Sequence, residues 1–259
     1  MPSQLVKGKT TKILVLNPNS SQAMTDGMLT VINSLDSAYS TEIHTYTGPS
    51  SAPASINDGN DLEESTKAVL ADPSFLDSPF DGVVVACFSA HPLVPSLQNR
   101  ERHLAVTGIF EASIQAALSL LRPSETWGIV TTGKFWEKHL TDGVKEYVGA
   151  YKVDENEKFA GVESTGLNAS DFHHGVDPAV IRQKLKEATK RLLAKSEIAC
   201  IVMGCAGMAG LEEIIREAAK EEMGEKFAYN ELHVIDGVRA GIMQVEQQIR
   251  YHRLIPGRS

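Results

Sequence analysis

Sulfur and aromatic residues are scarce in this chain, which has 3 cysteines, 2 tryptophans and 6% aromatic residues in 259 positions. Three cysteines, at 87, 200 and 205, are too few and too odd in number for a disulfide framework, so they read as reduced thiols in a cytoplasmic protein. Long apolar runs are also missing. The N-terminal "ILVL" falls well short of the about 20 apolar residues of a membrane span, and no signal-peptide pattern accompanies it. Lysine and arginine total 25 against 33 acidic residues, for a net charge of −8. Nucleic acids and anionic membranes call for clustered basic residues, so both are excluded as main partners, and solubility accounts for the acidity. No low-complexity tract or tandem repeat stands out.

What is present is an ordinary globular composition, 42% hydrophobic and 22% charged. Short apolar runs alternate with segments of helical period, the pattern of an α/β fold with parallel strands. "KILVLN" (12–17), "TEIHTYT" (41–47), "GVVVAC" (82–87), "WGIVTT" (127–132), "ACIVMG" (199–204) and "LHVID" (232–236) read as strands, most of them without the polar alternation of a half-exposed sheet. Ile181, Leu185, Ala188 and Leu192 share one face of a helix that Asp177 and Pro178 would start, and Val238, Ile242, Val245 and Ile249 repeat the spacing. Such stripes are core faces. Two stretches rich in Gly, Pro, Ser, Asn and Asp, 47–61 and 160–178, read as long loops, and loops of that length are often functional.

A coarser echo divides the chain. "GVVVACFSAHPL" (82–93) and "ACIVMGCAGMAGL" (199–211) each run from an apolar strand to a cysteine, small residues and a helix start. This implies two pseudo-symmetric α/β lobes, each a parallel-rich sheet flanked by helices. The first lobe would be 1–115 plus the returning tail 226–259, carrying Cys87, and the second 116–225, carrying Cys205.

Ligands of parallel α/β sheets gather beyond the carboxyl ends of the strands. A thiol there meets the free N–H groups and positive end of a following helix, both of which favour thiolate. Glycines let the backbone approach a ligand and leave amides free for developing negative charge. Cys200, inside its apolar run, reads as core. Cys87 and Cys205 are matched, and two thiols on opposite sides of a ligand suit the inversion of a carbon bearing an acidic hydrogen, with a base on one face and an acid on the other. No cofactor is needed for that chemistry.

"LNPNSS" (16–21), "APASIND" (52–58), "VVACFSAHPL" (84–93), "WGIVTTG" (127–133) and "VMGCAGMAGL" (202–211) resemble, in order and spacing, the signature segments of the Asp/Glu and hydantoin racemase superfamily, in its hydantoin/allantoin branch with a fungal group of allantoin-linked proteins. The resemblance runs from about residue 12 to 245. It implies two α/β lobes with the site between them, a cofactor-independent two-thiol racemase, and a homo-oligomer. Carried over by position, Cys87 and Cys205 are the catalytic pair. Asn17, Ser55, Thr131 and Thr132 line the site, and amides around Ser89, Gly204, Ala206 and Gly207 hold the ligand's carbonyl oxygens. One departure concerns the substrate: where relatives often have a short acidic stretch after the first cysteine, this chain has Ser89, Ala90, His91 and Pro92.

The implied substrate is a hydantoin-type cyclic ureide, a 5-substituted hydantoin or allantoin. It is flat, polar and often uncharged, and the candidate loops are rich in Asn, Ser, Thr and Gly and poor in Lys and Arg. A free amino acid would call for a basic group. The alternatives are an amino acid racemase, a maleate-type isomerase with one cysteine as nucleophile, and a non-catalytic ureide-binding protein. His91, four residues past Cys87, is a candidate to raise the thiolate fraction or touch the substrate, or else a locally packed helix-start residue. "FHHG" (172–175) lacks a matched ligand set for a metal and reads as a solvated loop. The glycines at 204, 207 and 210 fit neither nucleotide-binding fingerprint.

Overall fold

Apolar residues dominate the central strands because both of their faces are covered, whereas the edge strands keep polar residues. In a computed structural model that describes residues 10–35, 41–72, 74, 79–100, 103–150, 157–173 and 175–255, β1 (Thr11–Asn17) lies between β2 (Thr41–Thr47) and β3 (Gly82–Val85), and β3 pairs with β4 (Ala105–Gly108). All of these pairings are parallel, with Val15 opposite Thr45 on one side and Val84 on the other. The second sheet repeats the design. Here β5 (Thr126–Thr131) lies between β6 (Phe159–Ser164) and β7 (Ile198–Gly204), with β8 (His233–Asp236) beyond β7, again all parallel. The orders β2-β1-β3-β4 and β6-β5-β7-β8 are the same, so β3 and β7 are equivalent positions.

The helices are α1 (Gln22–Asn33), α2 (Gly59–Ala71), α3 (Leu93–Arg100), α4 (Ile109–Leu120), α5 (Phe135–Tyr147), α6 (Pro178–Leu193), α7 (Glu212–Met223) and α8 (Gly237–Arg253). Asp177 caps α6, its side chain accepting from the Ala179 N–H, and Pro178 opens the helix where its missing N–H costs nothing. The two stripes expected to be core, Ile181/Leu185/Ala188/Leu192 and Val238/Ile242/Val245/Ile249, are buried.

Two expectations need correction, and one strand, at 105–108, goes beyond those read from the sequence. Residues 159–164 are also a strand, and the loop expected over 160–178 therefore begins as β6. Its half-covered edge position allows the polar residues that hid it, and Gly161 at φ 108° accompanies a register shift against β5. The tail also divides differently. β8 pairs with β7 in the second sheet, Ile235 opposite Val202, whereas α8 crosses back onto the first. A Cβ on Gly241 would stand 2.5 Å from Val84, and one on Gly82 2.3 Å from Val245, so glycine at both places lets α8 lie directly on the first sheet. Conversely α4, which follows β4, packs on β7 and β8 and against α8. The main core runs through this exchange, joining Ile13 and Val84 of one sheet to Ile129, Val202 and Ile235 of the other.

Candidate active site

The two equivalent strands deliver the two cysteines. The chain leaves β3 at Val85, and Ala86 is tied back to β1 by its N–H on the Leu16 carbonyl at 2.7 Å, which puts Cys87 just past the strand end. It leaves β7 at Gly204 and reaches Cys205 in an extended conformation, the cap of a short 3-10 turn, Ala206–Met208. Both thiols are half-buried, and Cys200 lies within β7 with no exposure.

Their surroundings differ. Cys205 Sγ accepts from the Gly207 N–H at 3.3 Å, and the amides of Gly207 and Met208 both favour its thiolate. Cys87 Sγ has the Ser89 hydroxyl at 3.5 Å. Burial dominates in each case, pushing the Cys87 thiol up to about 12 and the Cys205 thiol up to about 11. Negative charge on Cys205 raises Cys87 further, so the thiols are within electrostatic reach of each other and a thiolate at one opposes a thiolate at the other.

Thr131 is fully buried, and its hydroxyl donates to the Gly204 carbonyl at 2.8 Å, pinning the end of β5 to the residue before Cys205. Gly204 is required there, since a Cβ would stand 2.6 Å from Ile129 Cγ2 and 2.9 Å from Thr131 Cβ. Thr132 is buried next to it, and its carbonyl accepts from the Gly166 N–H and the Thr165 hydroxyl. Ala206 and Gly207 form the turn beside Cys205, and Ser89 is buried beside Cys87. Asn17, at the end of β1, spends its amide on the turn that follows: Nδ2 donates to Asn19 Oδ1 and Thr25 Oγ1, each at 3.0 Å, while Oδ1 accepts from the Asn19 N–H. Ser55 lies in the 48–58 loop, and its hydroxyl donates within that loop, to Asn57 Oδ1 at 3.1 Å, rather than to either cysteine.

His91 is buried away from the thiols' polar contacts. Its Nδ1 accepts from the Leu93 N–H at the start of α3 and its Nε2 faces Ser65 Oγ, each at 3.2 Å, while Ser65 donates to the Leu62 carbonyl. With Nδ1 an acceptor the proton sits on Nε2. Burial pulls the ring down to about 3, so it is neutral and supplies no cation to Cys87.

Two residues that sequence reasoning missed also belong here. Glu111, in the first turn of α4, directs Oε2 into a place without solvent or a hydrogen-bond partner among the described residues. Burial lifts its carboxyl to about 7, and its charge raises Cys87. The signal was a lone glutamate at the start of an otherwise apolar helix. His173, of the "FHHG" segment read as solvated, is half-buried with Nε2 screened from water; His174 lies outside the described residues. Among the described residues no cluster of three or more His, Cys, Asp or Glu could hold a metal ion, and no helix is long and apolar enough to cross a membrane.

The sequence profile of the Asp/Glu/Hydantoin racemase family matches residues 13–245. Protein DCG1 of Saccharomyces cerevisiae is 26% identical over 254 residues, covering 93% of this chain and 97% of its own. The hydantoin racemase of Paenarthrobacter aurescens is 28% identical over 242 residues, covering 92% and 91%. Among solved structures, the allantoin racemase from Klebsiella pneumoniae superposes with a TM-score of 0.74 at 25% identity, covering 93% of this chain and 88% of that one.

Proposed function

The chain belongs to the Asp/Glu/hydantoin racemase family, and from that premise we propose that it racemises hydantoin-type cyclic ureides, 5-substituted hydantoins or allantoin, without a cofactor. Cys87 and Cys205 are the two proton-transfer groups. The observation that carries this reading is the repeated sheet order, which brings a cysteine past the end of the third strand in each half, the two in electrostatic reach. Relatives named for hydantoin and allantoin racemisation support the substrate class.

The chemistry then divides between the halves. One cysteine, as thiolate, takes the hydrogen from the ring carbon, and the electron pair left behind delocalises onto the neighbouring carbonyl as an enolate. The Ala206 N–H suits that oxyanion, since the Gly207 N–H is directed at Cys205 Sγ and the Met208 N–H at the Cys205 carbonyl. The other cysteine, as thiol, returns a proton to the opposite face, so the two exchange protonation states in each turnover. Cys205 is the easier thiolate of the pair, having two amides in its favour against one hydroxyl for Cys87. The residues that the family resemblance carries to the site are Asn, Ser and Thr rather than Lys or Arg, which favours a ureide over a free amino acid carboxylate.

Circular dichroism of each pure enantiomer tests the proposal: decay with wild type, and none with Cys87→Ser or Cys205→Ser, is expected. One observation favours a second reading, a ureide-binding protein without turnover, because burial raises both thiols. Saturable binding with no decay of optical activity would establish it. We propose a homo-oligomer on the ground of family resemblance, and a cytoplasmic enzyme on the ground of its few, odd-numbered cysteines.

A further inference from the structure

His173 stands between the two halves. It follows the 3-10 turn Ala169–Phe172, which is fixed by reciprocal bonds between Asn168 and Asp171, and its own N–H donates to the Ser170 carbonyl at 3.0 Å. The turn rests against the Ala206–Met208 turn, and α1 meets that same turn from the other half.

Two glycines, one from each half, leave room for the imidazole. A Cβ on Gly27, inside α1, would come within 2.9 Å of His173 Cε1, so any larger residue displaces the ring. Glycine in a helix interior is unfavourable, and here the space it leaves is filled by a residue of the other half. In the second half, a Cβ on Gly207 would lie 3.4 Å from His173 Nε2, 3.4 Å from Cys205 Sγ and 3.2 Å from the Ala169 carbonyl oxygen. Nε2 and Sγ are each 3.4 Å from one point, so they are separated by no more than twice that distance. Gly207 is also the residue whose N–H donates to Cys205 Sγ.

We propose that His173 is a positioning residue for Cys205: packed against both Gly27 and Gly207, its ring holds the Gly207 amide on the sulfur and keeps the two halves in register at the thiol. The contact explains why a histidine from a loop of the second half meets a helix of the first. For its catalytic meaning this inference rests on the two-thiol reading, but its test does not.

Peptide-resolved alkylation by iodoacetamide as a function of pH reads the ionisation of Cys205 and Cys87 separately in one full-length sample. His173→Ala should move the Cys205 midpoint upward by about one pH unit, the tenfold loss expected when a charge-assisted hydrogen bond is weakened. Cys87 should stay in place as the internal control. His173→Gln, which keeps much of the volume, should restore most of the change, and Gly27→Ala, which pushes on the ring from the other half, should reproduce it. An unmoved Cys205 midpoint in a folded variant, or equal movement of both thiols, overturns the inference. If His173→Ala does not fold, the Gly27→Ala profile decides. A wild type without racemase activity but with the selective movement of Cys205 would sink the proposed function and leave the positioning role standing.

Discussion

Phe88 meets Phe110 edge-on, ring centroids 5.5 Å apart and planes at 80°. The residue after Cys87 is thus packed against the residue before Glu111, and the carboxyl is carried to the thiol by an aromatic contact rather than a hydrogen bond. With Val85 opposite Gly108 in the sheet, the ends of β3 and β4 deliver both groups to one edge.

That pairing gives the first prediction. Glu111 is raised from 4.5 to about 7, and its charge opposes a thiolate at Cys87. Glu111→Gln should lower the alkylation midpoint of Cys87 and leave Cys205 in place. For folding, a carboxyl raised in the native state stabilises fully below about 4.5 and loses that contribution as pH rises through about 7. The variant should therefore gain on wild type as pH rises from 5 to 8, by up to about 3 kcal/mol, measured by urea unfolding.

His91 should matter to stability more than to chemistry. His91→Phe strips a partner from the buried Leu93 N–H and from Ser65, a loss of about 1–3 kcal/mol in unfolding free energy. Because the ring is lowered to about 3, its contribution is present above about 6.5 and is lost as pH falls toward 3. The wild type should lose stability to acid faster than His91→Gln, and the activity profile of the two should keep the same shape between pH 6 and 8.

Gly204→Ala forces a methyl against Ile129 and Thr131 at the residue before Cys205. Overpacking of this kind costs about 1–3 kcal/mol. Displacement of the thiol should cut kcat/KM by about 10²-fold, as a misplacement of about 1 Å does, with kcat carrying most of the loss.

The third cysteine is the control. Cys200 is inside β7 with no exposure and packs in the core shared by both sheets. Cys200→Ser buries a hydroxyl and should cost about 1–3 kcal/mol in stability, yet kcat per folded molecule should stay within about twofold of wild type.

The parallel sheets were legible because a strand covered on both faces has to be written in Val, Ile and Leu, and β1, β3, β5 and β7 are. β6 was hidden because an edge strand keeps polar residues, and β4 because "AVTG" is four residues long. The crossing of α4 and α8 between sheets leaves no local mark; it shows only in glycines such as Gly82 and Gly241 that yield to a distant helix. That Cys87 and Cys205 follow equivalent strands could be read from their matched settings. His173 could not, since its partners are two glycines far away in sequence, and His91 looked functional by proximity in the chain although Ser65 and the Leu93 amide hold its ring.

Two thiols acting on opposite faces leave an isotopic signature that tests the central claim directly. In deuterated water, each pure enantiomer of a 5-substituted hydantoin or of allantoin is converted to low extent, and the ring position of product and of recovered substrate is read by NMR against an enzyme-free control. Proton transfer by two separate bases predicts deuterium in the product and hydrogen retained in the recovered substrate, from either starting enantiomer. Equal labelling of substrate and product, or conversion with the original hydrogen kept, would contradict it.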